Sequence, residues 1–306
     1  MLNKTKGSIF GLAVGDAIGA PLEFSTPGTF EPISEMLGGG KFKLNAGEFT
    51  DDTSMALCLA ESLTRCNGFD ANDQMETYWK WLADGHLSVK DKSVGVGQTT
   101  MRALFEYKKT GNALSQINNK WSAGNGSLMR LAPIPIFYRN QPQEAIEMSG
   151  ESSKTTHPLQ VNIDACKYFG GLIYGALNGI DKEKLLSDCY SPIDGYWNDN
   201  EMHDEISTIA SGSFKDKNPP EIEGSGYVVK SLEASLWAFY NSNSYEEGVF
   251  KAVNLGDDAD TTGAIYGQLA GAYYGFNDIP PKFINQIAMK EMLTSFCSKL
   301  LYIKKQ

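Results

Sequence analysis

The sequence is poor in histidine, and no local pattern pairs its cysteines. Only His86, His157 and His203 are present, too few for a histidine-rich zinc site. Cys58, Cys66, Cys166, Cys189 and Cys297 are scattered with no C-x-x-C pair, which reads as reduced core thiols in a cytosol-like compartment. Positive charge is also scarce. The 27 Lys and Arg against 37 Asp and Glu leave a formal charge of −10, which argues against a nucleic-acid backbone as the main partner. An anionic ligand held by backbone N–H groups and a local cation stays compatible with that balance. No apolar run approaches the length of a membrane span, so no membrane partner is expected. Lys4 and Lys6 ahead of Ile9-Phe10-Gly11-Leu12-Ala13-Val14 imitate the start of a signal peptide, but Asp16 and repeated glycines interrupt the run. A cytoplasmic location is the expectation. Runs of alternating β-branched residues are nearly absent, which argues against a sheet and for an all-α chain.

What the chain has instead is glycine at helical spacing. Gly11, Gly15 and Gly19 recur every four residues, as do Gly171, Gly175 and Gly179, and again Gly263, Gly267, Gly271 and Gly275. Glycine in a helix interior costs about 1 kcal/mol against alanine. Three such ridges among apolar residues therefore predict helices whose backbones approach closely. Further helices are predicted over Met55–Arg65, Gln74–Leu82, Gln98–Lys109, Gln143–Met148, from Val161 onward, and over Lys182–Cys189, Glu201–Ala210, Tyr227–Asn241, Glu246–Val253, Thr261–Tyr274 and Pro281–Leu301. Asp51 or Thr50 is placed to cap the first of these, and Gly111 to stop the third. Pro133 and Pro135 are expected to break any helix through 128–138. Ser25–Glu48 reads as a long functional loop. No linker divides the sequence, so residues 1–306 are expected to form one domain, acting as a monomer.

Two acidic turns stand out. Asn254-Leu255-Gly256-Asp257-Asp258-Ala259-Asp260-Thr261-Thr262-Gly263 places three carboxylates and two hydroxyls within six positions, and Thr50-Asp51-Asp52-Thr53 lies far upstream. Either turn alone is an ordinary helix cap, because Asp and Thr oxygens accept from free N–H groups and oppose the helix dipole. Capping uses one acid per helix, however, and several carboxylates gathered without a cation raise one another's pKa and cost stability. The pair of turns is therefore a candidate dinuclear site for hard cations such as Mg²⁺, Mn²⁺ or Ca²⁺. Gly15-Asp16-Ala17-Ile18-Gly19-Ala20-Pro21-Leu22-Glu23-Phe24 with an acid at each end, the donor-rich turn Gly124-Asn125-Gly126-Ser127-Leu128-Met129-Arg130, and Thr155-Thr156-His157-Pro158 are places that could complete it. The lone imidazole gives poor support to a Ser-His-Asp triad.

Taken in order, G-D-A-I-G-A-P-L-E-F, G-E-F-T-D-D-T-S-M, G-N-G-S-L-M-R, T-T-H and N-L-G-D-D-A-D-T-T resemble the motifs of the ADP-ribosylglycohydrolase family from about Gly7 to Gly275. This family includes the dinitrogenase reductase-activating glycohydrolase and the ADP-ribosylhydrolases. The resemblance implies a compact orthogonal all-helical fold with two Mg²⁺ or Mn²⁺ ions in a central cleft. Thr50, Asp51, Asp52, Asp258, Asp260 and Thr261 would be the metal ligands, with Glu23, Asp51 and Asp258 serving catalysis. Gly97, Asn125, Gly126, Ser127, Met129 and His157 would border the substrate. The implied activity is hydrolysis that removes ADP-ribose from a modified protein side chain, with arginine in an N-glycosidic bond favoured. Alternatives are an O-glycosidic serine linkage, a free ADP-ribose derivative, a non-catalytic ADP-ribose-binding or immunity protein, and a phosphohydrolase that would release AMP.

Overall fold

The computed structural model describes residues 1–302, and it is all-α: among these residues there are only two isolated bridges, Gly39 with Leu44 and Gly124 with Tyr227. Fifteen helices follow in order: α1 Leu2–Gly19, α2 Asp51–Cys66, α3 Ala71–Asp84, α4 Gln98–Thr110, α5 Pro133–Phe137, α6 Pro142–Lys154, α7 Gln160–Leu177, α8 Lys182–Leu185, α9 Tyr196–Asp199, α10 Asp204–Ala210, α11 Val228–Tyr240, α12 Tyr245–Val253, α13 Ala259–Tyr274, α14 Pro281–Gln286 and α15 Lys290–Tyr302. None is long and apolar enough to cross a membrane, among the described residues.

The organisation follows from which helices are apolar all round. In α1 every residue from Gly7 to Gly19 is buried, and in α13 every residue from Ala259 to Ala272. Such helices have no face for water and must sit inside. The outer helices carry a one-sided stripe, as in α3, which buries Gln74, Met75, Thr77, Tyr78 and Trp81.

The two central helices run antiparallel in backbone contact. A Cβ at Gly7 would lie 2.1 Å from the Gly271 carbonyl oxygen, at Gly11 2.3 Å from that of Gly267, at Gly15 2.0 Å from that of Gly263, and at Gly19 2.4 Å from that of Ala259. The spacing seen in the sequence is thus one seam. Tyr245 Oη donates to the Gly11 carbonyl at 2.6 Å, and Ser8 Oγ to that of Gln268 at 2.9 Å. Because the helices are antiparallel, the C-terminus of α1 meets the N-terminus of α13, the acidic one.

The third ridge is different. A Cβ at Gly175 would meet the Tyr190 hydroxyl at 2.3 Å and Leu185, and one at Gly171 would meet Pro192 at 3.4 Å. Side chains of the following segment fill this groove, so the expected helix crossing does not occur there. Gly179 lies beyond the end of α7 with φ +85°.

Two other expectations are corrected. Pro133 and Pro135 do not abolish a helix but open one, because the first-turn N–H groups that proline lacks have no intrahelical partner. The segment Pro281–Leu301 is two helices. Met289 has φ +54° between them, and Ala288 N–H donates to the Gly47 carbonyl at 2.9 Å, a contact with the long loop that outweighs local helical preference. The helix expected over 182–189 ends at Leu185, and Cys189, left-handed with φ +47°, donates its N–H to the Ala210 carbonyl at 2.9 Å instead of continuing it.

Candidate metal and substrate cleft

The site starts with an unusual cap. Thr50 occupies the N-cap position of α2, yet its side chain makes no capping bond. Asp16, from α1, takes that role across the core. Its Oδ2 accepts from Thr53 N–H at 3.1 Å and Thr53 Oγ1 at 2.6 Å, and its Oδ1 accepts from Thr50 N–H at 2.9 Å. Thr53 N–H is the donor that a local cap side chain would normally satisfy. With the cap supplied from elsewhere, Thr50, Asp51 and Asp52 keep their oxygens for other partners. In the sequence this role fell to Thr50 or Asp51, and Asp16 stood in a stretch that could complete the site without a role of its own.

Those oxygens converge with α13. Thr50 Oγ1 lies 2.9 Å from Asp16 Oδ1, 3.0 Å from Asp52 Oδ2 and 3.4 Å from Asp260 Oδ2, and it has one proton to share among them. Ligand oxygens of Asp16, Asp52 and Asp260 all fall within 4.8 Å of one another, and so do those of Glu23, Asp258 and Asp260. Asp52 Oδ1 and Glu23 Oε2 are buried with no hydrogen-bond partner. Burial first, and then neighbouring carboxylates, push Asp51, Asp52 and Asp260 well above the ordinary carboxylate range. Burial also raises Glu23 to about 8, with Asp258 adding to it, and raises Asp16 to about 6 against the opposing hydrogen bonds from Thr53 and Thr50. Orphaned oxygens, crowded acids and a hydroxyl facing three carboxylates make a donor set that fits hard divalent cations.

The loop carrying Glu23 is pinned to the second turn. Phe24 N–H donates to the Asp257 carbonyl at 2.6 Å and Asp257 N–H to the Ser25 carbonyl at 2.8 Å. Both Phe24 (φ +66°) and Asp257 (φ +53°) are left-handed, so this crossing is held in a sparsely allowed conformation. Asp257 lines the cleft beside Asp258.

A cavity of about 780 Å³ opens over the acids, lined among others by Glu23, Asp51, Asp258, Asp260, Thr261, Gly97, Asn125, Gly126, Met129 and His157. Most of the expected residues thus meet on one surface, with Thr50 and Asp52 buried beneath it. Ser127 does not line the cavity. Its Oγ faces inward, accepting from Ser153 Oγ at 2.8 Å. Asn125 does more than border the space, since its Nδ2 donates to Asp258 Oδ2 at 2.6 Å and orients that carboxylate. The turn carrying it is fixed to α13 by Gln268, whose Oε1 accepts from Ala132 N–H at 2.7 Å and whose Nε2 donates to the Met129 carbonyl at 2.7 Å.

Gly97 sits at the N-cap of α4 with open space where a Cβ would point. The constrained glycine is Gly95, with φ +86°, where a Cβ would come within 2.4 Å of Asp51 Oδ1. Two neighbouring glycines in one loop read alike in sequence, and only the fold tells which lies over the acid. Sequence reasoning also missed the rim: Lys41 from the long loop, 3.9 Å from the Phe24 ring centre, together with Arg102 and the 83% exposed Trp121. The long loop and the stretch that supplies Gly226 carry no periodicity that would place them there.

The whole chain, residues 1–306, matches the family model described as ADP-ribosylglycohydrolase. It is 36% identical over 302 residues to a Serratia proteamaculans protein named ADP-ribosylarginine hydrolase Tri1, spanning 99% of this chain and 80% of that one. A Pseudomonas putida protein of the same name is 37% identical over 299 residues, spanning 98% and 78%. A solved structure titled ADP-ribosylglycohydrolase-related protein complex superposes with a TM-score of 0.84 at 38% identity, covering 99% of each chain.

Proposed function

Because the chain belongs to the ADP-ribosylglycohydrolase family, we propose that it is a hydrolase that removes ADP-ribose from arginine side chains of modified proteins. The observation that carries this reading is the meeting of the α2 and α13 acidic ends, with orphaned carboxylate oxygens, at the floor of a cleft large enough for a nucleotide. The arginine linkage is supported by relatives named for it. We take residues 1–306 as one domain, since acids from both ends of the chain build one site. The five free cysteines fit a protein that acts in the cytoplasm, and we take it to act as a monomer.

Thr50, Asp51, Asp52, Asp258, Asp260 and Thr261 would hold two divalent cations, Mg²⁺ or Mn²⁺, with Asp16 bracing Thr50 from behind. Bound there, such ions supply Lewis acidity toward ribose hydroxyls and a water activated at neutral pH. The remaining work falls to the chain. Asp51 and Asp258 border the cleft, where they would accept from the ribose hydroxyls and the attacking water, and Asn125 keeps Asp258 in its orientation. Glu23 Oε2, unpartnered beside Asp258 and Asp260, holds the proton that passes to the departing arginine nitrogen. The α4 N-terminus opens on the cleft at Gly97, Gln98 and Thr99, where free N–H groups suit the diphosphate. Gly126, Met129 and His157 line the side of the cleft that borders the rest of the nucleotide.

The test uses two peptides, one ADP-ribosylated on arginine and one on serine, with Mg²⁺ or Mn²⁺ and with chelator, and identifies the released nucleotide by mass. The expected result is intact ADP-ribose from the arginine peptide, lost on chelation. Release from serine alone would overturn the linkage. AMP, or no release from either peptide with metal bound, would overturn the hydrolase reading.

A further inference from the structure

Arg130 is fully buried, and no carboxylate pairs with it among the described residues. Its guanidinium lies 4.5 Å from the Tyr78 ring centre, one amino group faces Met55 Sδ at 3.9 Å, and its Nε has no partner. A buried cation without an acid is costly, so its one strong hydrogen bond calls for an account. That bond runs from Nη2 to Thr156 Oγ1 at 2.7 Å. Thr156 Oγ1 in turn stands 2.8 Å from His157 Nδ1.

The direction of the second bond follows from counting protons. A hydroxyl has one proton and two acceptor positions. The guanidinium can only donate, so it occupies one acceptor position of Thr156. Thr156 is fully buried, and its own proton finds no acceptor other than His157 Nδ1 among the described residues. Nδ1 therefore accepts, and the ring proton sits on Nε2. The other edge of the ring packs beneath the donor-rich turn: a Cβ at Gly126 would lie 2.8 Å from His157 Cε1, and one at Gly124 3.5 Å from Nε2. The backbone of His157 is held as well, its N–H donating to the Ser153 carbonyl at 2.7 Å.

We infer that Arg130 and Thr156 are positioning residues: they form a one-way relay that fixes His157 as an Nε2–H donor toward the cleft. The ring then takes an acceptor oxygen of the ligand, a phosphate or a ribose hydroxyl, and cannot turn to accept from one. The buried guanidinium next to the imidazole opposes a second proton on the ring, and burial and this cation hold His157 far below the usual imidazole range, at about 3. The other titratable groups close to the relay are Tyr78 and Cys58 beside the guanidinium and the Cys166 thiol, joined to it through Ser127 and Ser153, and burial raises all three so that they stay neutral. The identity of the ligand rests on the function proposed above, whereas the relay does not.

The relay is tested by nitrogen-15 NMR of the ligand-free protein, with His157→Gln to assign the ring among the three histidines. The expected spectrum has a protonated Nε2 and a bare Nδ1, unchanged from pH 5 to pH 8. Thr156→Val should release the tautomer preference and weaken ADP-ribose binding by roughly tenfold, on the scale of one buried hydrogen bond. Thr156→Ser, which keeps the hydroxyl, should restore both. An Nδ1–H ring in the wild type, titration of His157 near pH 6, or an unchanged tautomer in Thr156→Val would overturn the inference. Because the tautomer is read without ligand, a failure of ADP-ribose to bind the wild type would count against the proposed function and not against the relay.

Discussion

The two acidic helix ends look alike in sequence and are held by different means. At α2 the cap comes from 34 residues away, through Asp16, and the local Thr50, Asp51 and Asp52 are spared the capping role. At α13, Asp258 stands at the N-cap without a capping bond, its carboxylate is taken by Asn125, and Asp260 accepts from the Thr261 N–H at 2.8 Å. One end is stabilised through the core, and the other through a loop and its own first turn. The lesson is that a helix end becomes available for ligands when something distant satisfies its backbone. In this fold the glycine seam brings that distant group into place, since Gly15 and Gly19 flank Asp16 on the ridge that touches α13.

The seam is the strongest lever on both ends at once. Gly15→Ala would put a methyl group 2.0 Å from the Gly263 carbonyl oxygen. Neither backbone can yield locally, so the helices must part. A loss on the order of 4 kcal/mol in denaturant unfolding is expected, beyond ordinary overpacking, with metal binding lost at both ends. Gly171→Ala, facing Pro192 at 3.4 Å, should cost under about 0.5 kcal/mol and serves as the contrast.

Next in size is Asp16→Ala, which should act at α2 and spare α13. It removes the acceptor for Thr50 and Thr53, a loss of about 3 kcal/mol from a cap and buried charged hydrogen bonds. Asp16→Asn, which keeps one acceptor oxygen, should lose less. Equal losses from both would mean that the charge, and not the cap, is what α2 requires.

The shared charge makes a pH prediction. The folded values of Asp16 (about 6) and Glu23 (about 8) lie above their ordinary 3.8 and 4.5. The folded state therefore binds protons more tightly than the unfolded chain, and the stability these groups contribute is lost as pH rises through the folded values. In chelator, the melting temperature should fall between pH 5 and pH 8 on the order of 5 °C. Saturating Mg²⁺ or Mn²⁺ should remove that slope. A melting temperature that rises over this window in chelator would contradict it.

The smallest effect separates the neighbouring glycines over α2. Gly95→Ala should cost about 1–2 kcal/mol and at least tenfold in activity, because its φ is left-handed and its Cβ would strike Asp51. Gly97→Ala should stay within about 0.5 kcal/mol of wild type.

Much of this was legible in the sequence, and the boundary is physical. Helix periodicity and the four-residue glycine steps are local patterns, so α1, α2 and α13 and the closeness of two of them could be anticipated. The acids of both turns could be grouped because capping does not need so many. Asp16 could not be assigned, since an acid within an apolar glycine-stepped helix shows its purpose only when α2 is laid beside it. Asn125 was placed near the substrate, but its bond to Asp258 spans 133 positions. The break at Met289 and the inward turn of Ser127 likewise depend on contacts with segments remote in the chain.

The most direct test of the central claim, that the two helix ends form one cation site, is the stoichiometry of Mn²⁺ binding by calorimetry in wild type, Asp52→Asn and Asp260→Asn. About two ions per chain are expected in the wild type, with a loss of binding from a substitution on either helix. Wild-type protein that binds no Mn²⁺, or variants that keep the full complement, would contradict it.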